Sequence, residues 1–357
     1  MKDETPRYDQ HSSKFPRINI GFRQASPLNC RKFILNLYIS TLNSQQTYNP
    51  AYLTLLENNR LQIRADQAYQ QMADCDLCAR YCHVDRYAGI KGAVCRTGVR
   101  ARVNSYGPHH GEEAPLRGVY GSGTIFFSWC SLRCVYCQNW EISQKGLGHE
   151  VEPEEIAEMM LKLQAQGCHN INFVTPSHVV AQIIRAVDIA SRKGLRIPLV
   201  YNTGGYDSPE ALALLDGIID IYMPDMKYGD AALAHKYSHV RDYVETNFAA
   251  VREMQRQVGD LQLDEQGIAQ CGLLVRHLVL PGNIAGTEAV LAFLANEIST
   301  NTYINLMDQY HPCYRAMDNP PLDRDLKENE YQEALELADR LGLKRLDQRH
   351  TRRWLAF

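Results

Sequence analysis

The segment Phe127-Ser-Trp-Cys130-Ser-Leu-Arg-Cys134-Val-Tyr-Cys137-Gln-Asn139 constrains this chain more than any other. Three cysteines at C-x-x-x-C-x-x-C spacing follow directly on Gly121-Ser-Gly-Thr-Ile-Phe-Phe127, which predicts a buried β-strand entered from a glycine turn. The cysteines therefore stand on a loop at the C-terminal end of a strand. Three thiolates on one short loop can face a single centre, and soft sulfur ligands select iron-sulfur clusters, zinc or Cu(I). A cubane 4Fe-4S cluster normally takes four cysteines. Held by three, it keeps one iron open, by the logic that separates catalytic from closed structural zinc sites.

Cys130, Cys134 and Cys137, with the aromatic Tyr136 before the last of them, resemble the signature of the radical S-adenosylmethionine (SAM) superfamily. The wider run from Gly123 to Ser143 looks like the branch related to pyruvate formate-lyase activating enzymes. The resemblance implies that the open iron chelates the amino and carboxylate groups of SAM. It also implies that reduction of the cluster gives a 5′-deoxyadenosyl radical, which abstracts hydrogen from the substrate. The competing readings of the same residues are a zinc site and buried cysteines that coincide.

With 357 residues, 45% hydrophobic and 22% charged, the chain has the composition of an ordinary globular protein with one large core or two domains. No apolar run approaches the ~18 residues that span a bilayer. The net charge of -3 creates no general basic field toward nucleic acid. Of eleven cysteines, seven fall in two short metal-like groups behind a polar start, Met1-Lys-Asp-Glu-Thr, that lacks a signal-peptide core. A reducing cytoplasm is the expected location.

The organisation expected is an N-terminal extension over 1–47, a helical and cysteine-rich segment over 48–118, a core barrel over 119–326, and a C-terminal helix with a basic tail over 327–357. In the extension only Phe33–Ile39 is apolar, as a strand or a helix turn. Leu53, Leu56, Leu61, Ile63 and Ala68 predict two short helices between Pro50 and Met72. They lead into Cys75, Cys78, Cys82 and Cys95, a candidate second metal site, with Gly89 and Gly92 letting the loop double back. Structural zinc, an auxiliary iron-sulfur cluster and free thiols are the three readings of this set. Its spacing does not match the ferredoxin run C-x-x-C-x-x-C-x-x-x-C.

Beyond the first strand, strands are expected at His169–Thr175, Ile197–Asn202, Ile218–Met223, Cys271–Leu280 and Thr302–Met307. Between them Ile156, Met159, Met160 and Leu163, then Val180, Ile183, Ile184 and Val187, repeat at helical spacing. Ser208 and Pro209 start a helix as N-cap and first residue. One long helix is expected over Ala231–Gln257, another over Thr287–Ile298, and a last one over Glu330–Leu341. Six alternations argue an α/β fold with a parallel sheet. The resemblance implies that this sheet curls into a partial (β/α)6 TIM-like barrel of radical SAM type, covering about Tyr48 to Leu346.

Such barrels carry chemistry on the loops after the strands. By the resemblance, SAM-binding candidates are Tyr136, Thr175 after the second strand, Asn202 after the third, Asp225 and Lys227 after the fourth, and His311 after the sixth. Thr175 stands where the family has an acidic motif that this chain lacks. Gly204 and Gly205 would let backbone approach a ligand or form a plain turn, and His178 is an exposed helix-start residue or a proton donor. Arg276 and His277 alternate, so one faces the barrel interior. Gln309 is a neighbouring candidate, and Cys30, Cys168, Cys271 and Cys313 read as small core residues.

The expected activity is SAM cleavage and hydrogen abstraction, with a flavodoxin or ferredoxin as electron donor and a glycyl radical enzyme as the protein substrate. Neither a membrane nor a nucleic acid is an expected partner. A small-molecule or peptide substrate, or a non-catalytic metal-binding regulator, are the alternatives.

Overall fold

The computed structural model describes residues 48–347. The chain divides into Met1–Tyr48 and Asn49–Phe357, and every element named below belongs to the second unit. The apolar run Phe33–Ile39, the extension over 1–47 and the tail from residue 348 lie outside the described residues.

The cysteine-rich segment ends in a strand that its mixed composition hides. This strand, β1 (Ala101–His109), buries Ala101 and Val103 and pairs antiparallel with β2 (Ser122–Phe127), so the sheet begins before the expected barrel boundary. A short β3 (His149–Val151) covers the outer edge of β1. From β2 the sheet is parallel through β4 (Ile171–Val174), β5 (Leu199–Thr203) and β6 (Ile221–Pro224). The two-residue β7 (Gln262–Leu263) forms a hairpin with β8 (Ala269–Leu278), which pairs parallel with β6 and with β9 (Tyr303–Met307). The outcome is a partly open barrel of six parallel strands, as the resemblance implied.

Alternation along the strands creates two apolar layers. Phe127, Phe173, Tyr201, Tyr222 and Val275 face the helices, while Val200, Ile221, Met223 and Leu274 fill the lumen with Leu116. Outside, α1 (Tyr52–Glu57) and α2 (Arg60–Gln71) precede the cysteine-rich turn, α3 (Ala114–Arg117) carries Leu116, and α4 (Trp140–Lys145) follows the cysteine loop. Then α5 (Pro153–Ala165) and α6 (Val180–Arg192) bury the residues their spacing predicts. Each fully buried Ile or Leu there contributes about 1.5–3 kcal/mol relative to exposure. Helix α7 (Pro209–Leu215) starts as expected, with the Ser208 hydroxyl accepting the Ala211 N–H at 3.2 Å.

The single long helix expected after the fourth strand is two, α8 (Ala231–Ser238) and α9 (Tyr243–Val258). His239 takes φ +56 between them. The break frees the carbonyls of Tyr237 and Ser238 to bind the cysteine loop. After β8, α10 (Thr287–Phe293) runs on as a wider π turn over Leu294–Ile298, and α11 (Glu328–Arg340) closes the series. No helix of the described residues is long and apolar enough to cross a membrane.

Buried Asp220 ties the helical segment to the barrel: one carboxylate oxygen accepts the Ala51 N–H and the other the Leu199 N–H, both at 2.8 Å. Replacing Asp220 by Ala leaves two amides without their acceptor, each worth about 1.5–3 kcal/mol when bonded to a charge. A loss of roughly 3 kcal/mol in urea unfolding is expected for Asp220→Ala, and a change below about 1 kcal/mol would refute the clamp.

Candidate active site at the cysteine loop

The loop after β2 has little regular structure, so its backbone is held by its surroundings. Arg133 and Val135 donate their N–H groups to the carbonyls of Ser238 (3.3 Å) and Tyr237 (2.9 Å), and Arg315 N–H reaches Val135 O at 2.8 Å. Trp129 takes φ +69 just before Cys130, with its N–H on Ile142 O at 3.1 Å. Gly204 and Gly205 explain themselves here: a Cβ on Gly204 would press on Leu132 of the loop, and one on Gly205 would meet Asp225 O and Asn247. Both glycines allow close packing of three strand ends.

Each sulfur of the loop meets a donor or a hydroxyl. Cys130 Sγ accepts the Leu132 N–H at 3.3 Å, Cys134 Sγ accepts the Ser238 hydroxyl at 2.9 Å, and Cys137 Sγ lies 3.1 Å from Ser143 Oγ. Burial pushes the Cys130 thiol up to about 12 and raises Cys134 and Cys137, while the charge of Lys227 pulls all three back down. Any metal held by these thiols would have to displace their protons.

Lys227 is half-buried and donates to Asp225 Oδ2 at 2.6 Å, and Arg276 donates to Asp225 Oδ1 at 2.7 Å and to Asn202 Oδ1 at 2.7 Å. Burial alone would raise Asp225, but the two cations outweigh it and hold its carboxyl below the ordinary range. For Lys227 burial works downward, yet Asp225 and the Cys134 sulfur leave it raised. Glu112 and Glu113 also face Arg276, and Glu113 accepts from Asn305 Nδ2 of β9 at 2.6 Å.

A cavity of about 230 Å³ opens beside Cys137 at the C-terminal ends of the strands, lined by Tyr136, Asn139, Asp225, Lys227, Arg276, Met307 and Gln309 among others. Of the SAM-binding candidates, Tyr136, Asp225 and Lys227 line it, and Asn202 reaches it through Arg276. The Tyr136 ring itself is buried edge-on between Tyr228 and Tyr310. Thr175 and His311 are not among its lining residues. Thr175 takes φ +62, a strained state for a β-branched residue, and donates its N–H to Asn202 O at 2.9 Å. His311 is exposed, and Gln309 comes to the cavity from that loop instead.

His178 is buried, not a surface residue. Its Nε2 lies 2.9 Å from Ser128 O, and burial lowers it to about 4. Of the alternating pair on β8, Arg276 faces the cavity and His277 faces outward, fully buried. Cys313 donates to Tyr136 O at 3.2 Å, beside the cysteine loop. Glu112 and Glu113 carry no motif in the sequence, and only the fold brings them to Arg276.

As the side chains stand, no group of three or more His, Cys, Asp or Glu among the described residues could hold a metal ion. An iron-sulfur cluster takes its protein ligands as cysteine thiolates. The loop set fits such a group: three thiols, each beside a hydrogen-bonding partner, and one cation facing all three.

Residues 124–260 match the model of the Radical SAM superfamily. This chain carries a radical SAM domain. The match spans the cysteine loop and the Asp225 and Lys227 pair. The chain is 29% identical over 301 residues to the uncharacterized protein MJ0674 of Methanocaldococcus jannaschii, covering 82% of each. It is 24% identical over 281 residues to the uncharacterized protein MJ0808 of the same organism, covering 72% of this chain and 78% of that one. Among solved structures it is similar to TYW1 with a lysine-pyruvate adduct bound, at 12% identity and TM-score 0.40 over 61% of this chain and 73% of that chain. It is also similar to HydG, a maturase of the FeFe-hydrogenase, at 13% identity and TM-score 0.44 over 62% of this chain and 49% of that chain.

His277 makes this region sensitive to acid. Its Nδ1 lies 2.6 Å from Met226 O and its Nε2 lies 3.0 Å from Thr287 Oγ1, an arrangement that suits the neutral ring. Burial lowers it to about 4, from an ordinary value of 6.5. The folded chain thus binds fewer protons than the unfolded chain between these values, and stability falls as pH drops through that window. At pH 5 the loss from His277 is about 2 kcal/mol relative to pH 7. Urea unfolding of the wild type and His277→Asn across pH 7 to 5 should show a shallower slope for the variant, and equal slopes would refute this.

Proposed function

We propose that Cys130, Cys134 and Cys137 hold a 4Fe-4S cluster and that the cavity beside Cys137 takes SAM. Lys227 carries the reading: its charge faces all three sulfurs, and its ammonium shares a cavity wall with Asp225 and Arg276. When bound, a reduced cluster with SAM supplies a 5′-deoxyadenosyl radical that removes a hydrogen atom from the substrate.

The residues of this chain bind and orient. Lys227 offsets the negative charge of three thiolates and presents a donor for the SAM carboxylate, a charge-assisted contact. Asp225 holds Lys227 and Arg276 in place, and Arg276 also faces Glu112 and Glu113. The hydroxyls of Ser143 and Ser238 bond cluster-bound sulfur, and such hydrogen bonds tune a cluster's potential. Tyr136, Tyr228 and Tyr310 pack behind the loop and exclude water from that side. A flavodoxin or ferredoxin fits as the one-electron donor. The sequence resemblance to activating enzymes supports a glycine of a partner enzyme as the hydrogen donor.

Anaerobic reconstitution with iron and sulfide, reduction and addition of SAM should yield 5′-deoxyadenosine from the wild type and none from a Cys130/Cys134/Cys137→Ala triple variant. No product from a wild type with a filled cluster would defeat the reading. For Lys227→Met, SAM binding measured by calorimetry should weaken roughly tenfold or more, the worth of a charged hydrogen bond. A glycyl radical signal on a co-encoded partner, seen only with the wild type, is expected; 5′-deoxyadenosine without it would overturn the activating role alone.

A further inference from the structure

We infer that Cys75, Cys78, Cys82 and Cys95 hold a second iron-sulfur cluster, coupled to the cysteine loop through Arg133. The coupling rests on the reading of the first cluster above; the second set stands on its own residues.

The segment is folded tightly around its thiols. Cys75 N–H reaches Val84 O and His83 N–H returns to Cys75 O, both at 3.1 Å, and Tyr81 N–H closes on Cys78 O at 3.1 Å. Tyr81, His83 and Arg96 take φ of +43, +50 and +50, and such left-handed non-glycine residues cluster where function demands a shape. The Cys78 sulfur faces the backbone N–H of Arg80 and the Cys95 sulfur that of Thr97, whose hydroxyl donates to Cys95 O at 2.9 Å. The N–H two residues on is the same donor that Leu132 gives Cys130.

Charge supplies an independent argument. Arg86 is buried, with its guanidinium on Gly98 O and His178 O and 3.9 Å from Cys75 Sγ. Arg80 binds the carbonyls of Ser131 and His239, Arg133 those of Val94 and Ser143, and Arg96 lies over the Trp129 ring. Among the described residues, none of these four arginines makes an ion pair with a carboxylate. Of the four only Arg86 is buried, and a buried, unpaired charge costs several kcal/mol. A thiolate-ligated cluster would supply the missing negative charge, whereas four neutral thiols would not.

The same arginines join the two sets. Arg80, two residues after Cys78, donates to Ser131 O next to Cys130 at 2.7 Å. Arg133, next to Cys134, donates to Val94 O next to Cys95, and its charge faces both Cys130 and Cys95.

The test counts metal on the anaerobically reconstituted full chain. The wild type should hold about eight irons, and the Cys130/Cys134/Cys137→Ala and Cys75/Cys78/Cys95→Ala variants about four each, with circular dichroism confirming the fold. Four irons in the wild type, all lost with the loop cysteines, would overturn the second site and leave the radical reading intact. Four irons that survive that triple variant would support the second site and defeat the first. Zinc bound at Cys75, Cys78 and Cys95 would overturn the second cluster. In Arg133→Gln, loss of a positive charge should move both midpoint potentials to more negative values, read by redox titration with EPR detection; unchanged potentials would overturn the coupling.

Discussion

A loop that carries three cysteines and little regular structure cannot hold itself. Between Phe127 and Trp140 the backbone has few regular partners, so its shape is borrowed from the broken end of α8, from Arg315 and from Ile142. Much of the local architecture follows from that need. The chain breaks at His239 so that two helix-terminal carbonyls face the loop, and Ser238 then reaches both Cys134 and Tyr228. Gly204 and Gly205 are small because Leu132 and Asp225 press against them.

Electrostatics then orders the cavity. Asp225 is a carboxylate between two cations, a geometry that keeps it ionised in a place where burial would neutralise it. Lys227 also faces the sulfurs, and the triad opens on the cavity. On the other side of the loop, arginines without carboxylate partners surround the cysteine-rich segment. The two sides have a feature in common: each sets cationic side chains beside cysteine sulfurs.

Several features were legible in the sequence because they depend on local spacing. The cysteine loop, the strand before it, helices α5 and α6 and the Ser208 cap need only a few neighbouring residues to reveal them. The Asp225 and Lys227 pair was legible through its resemblance to a known motif. Less local features were not. The two-residue β7 has no room for a pattern, β1 mixes apolar and polar residues, and the turn at His239 answers to a loop a hundred residues away.

What the sequence by itself determined is the chemistry on offer: seven cysteines in two groups, a six-fold alternation of strand and helix, and acid and base at the strand ends. Only the tertiary structure decided which of these meet. It turned Arg276 toward Asp225 and His277 outward, buried His178 under Ser128, brought Gln309 and not His311 to the cavity, and set Arg133 between two thiol sets. The physical reason is range. Backbone propensity and hydrophobic period act over a few residues, whereas a hydrogen bond, a buried charge or a shared cavity wall is satisfied by any residue that packing delivers, however distant along the chain.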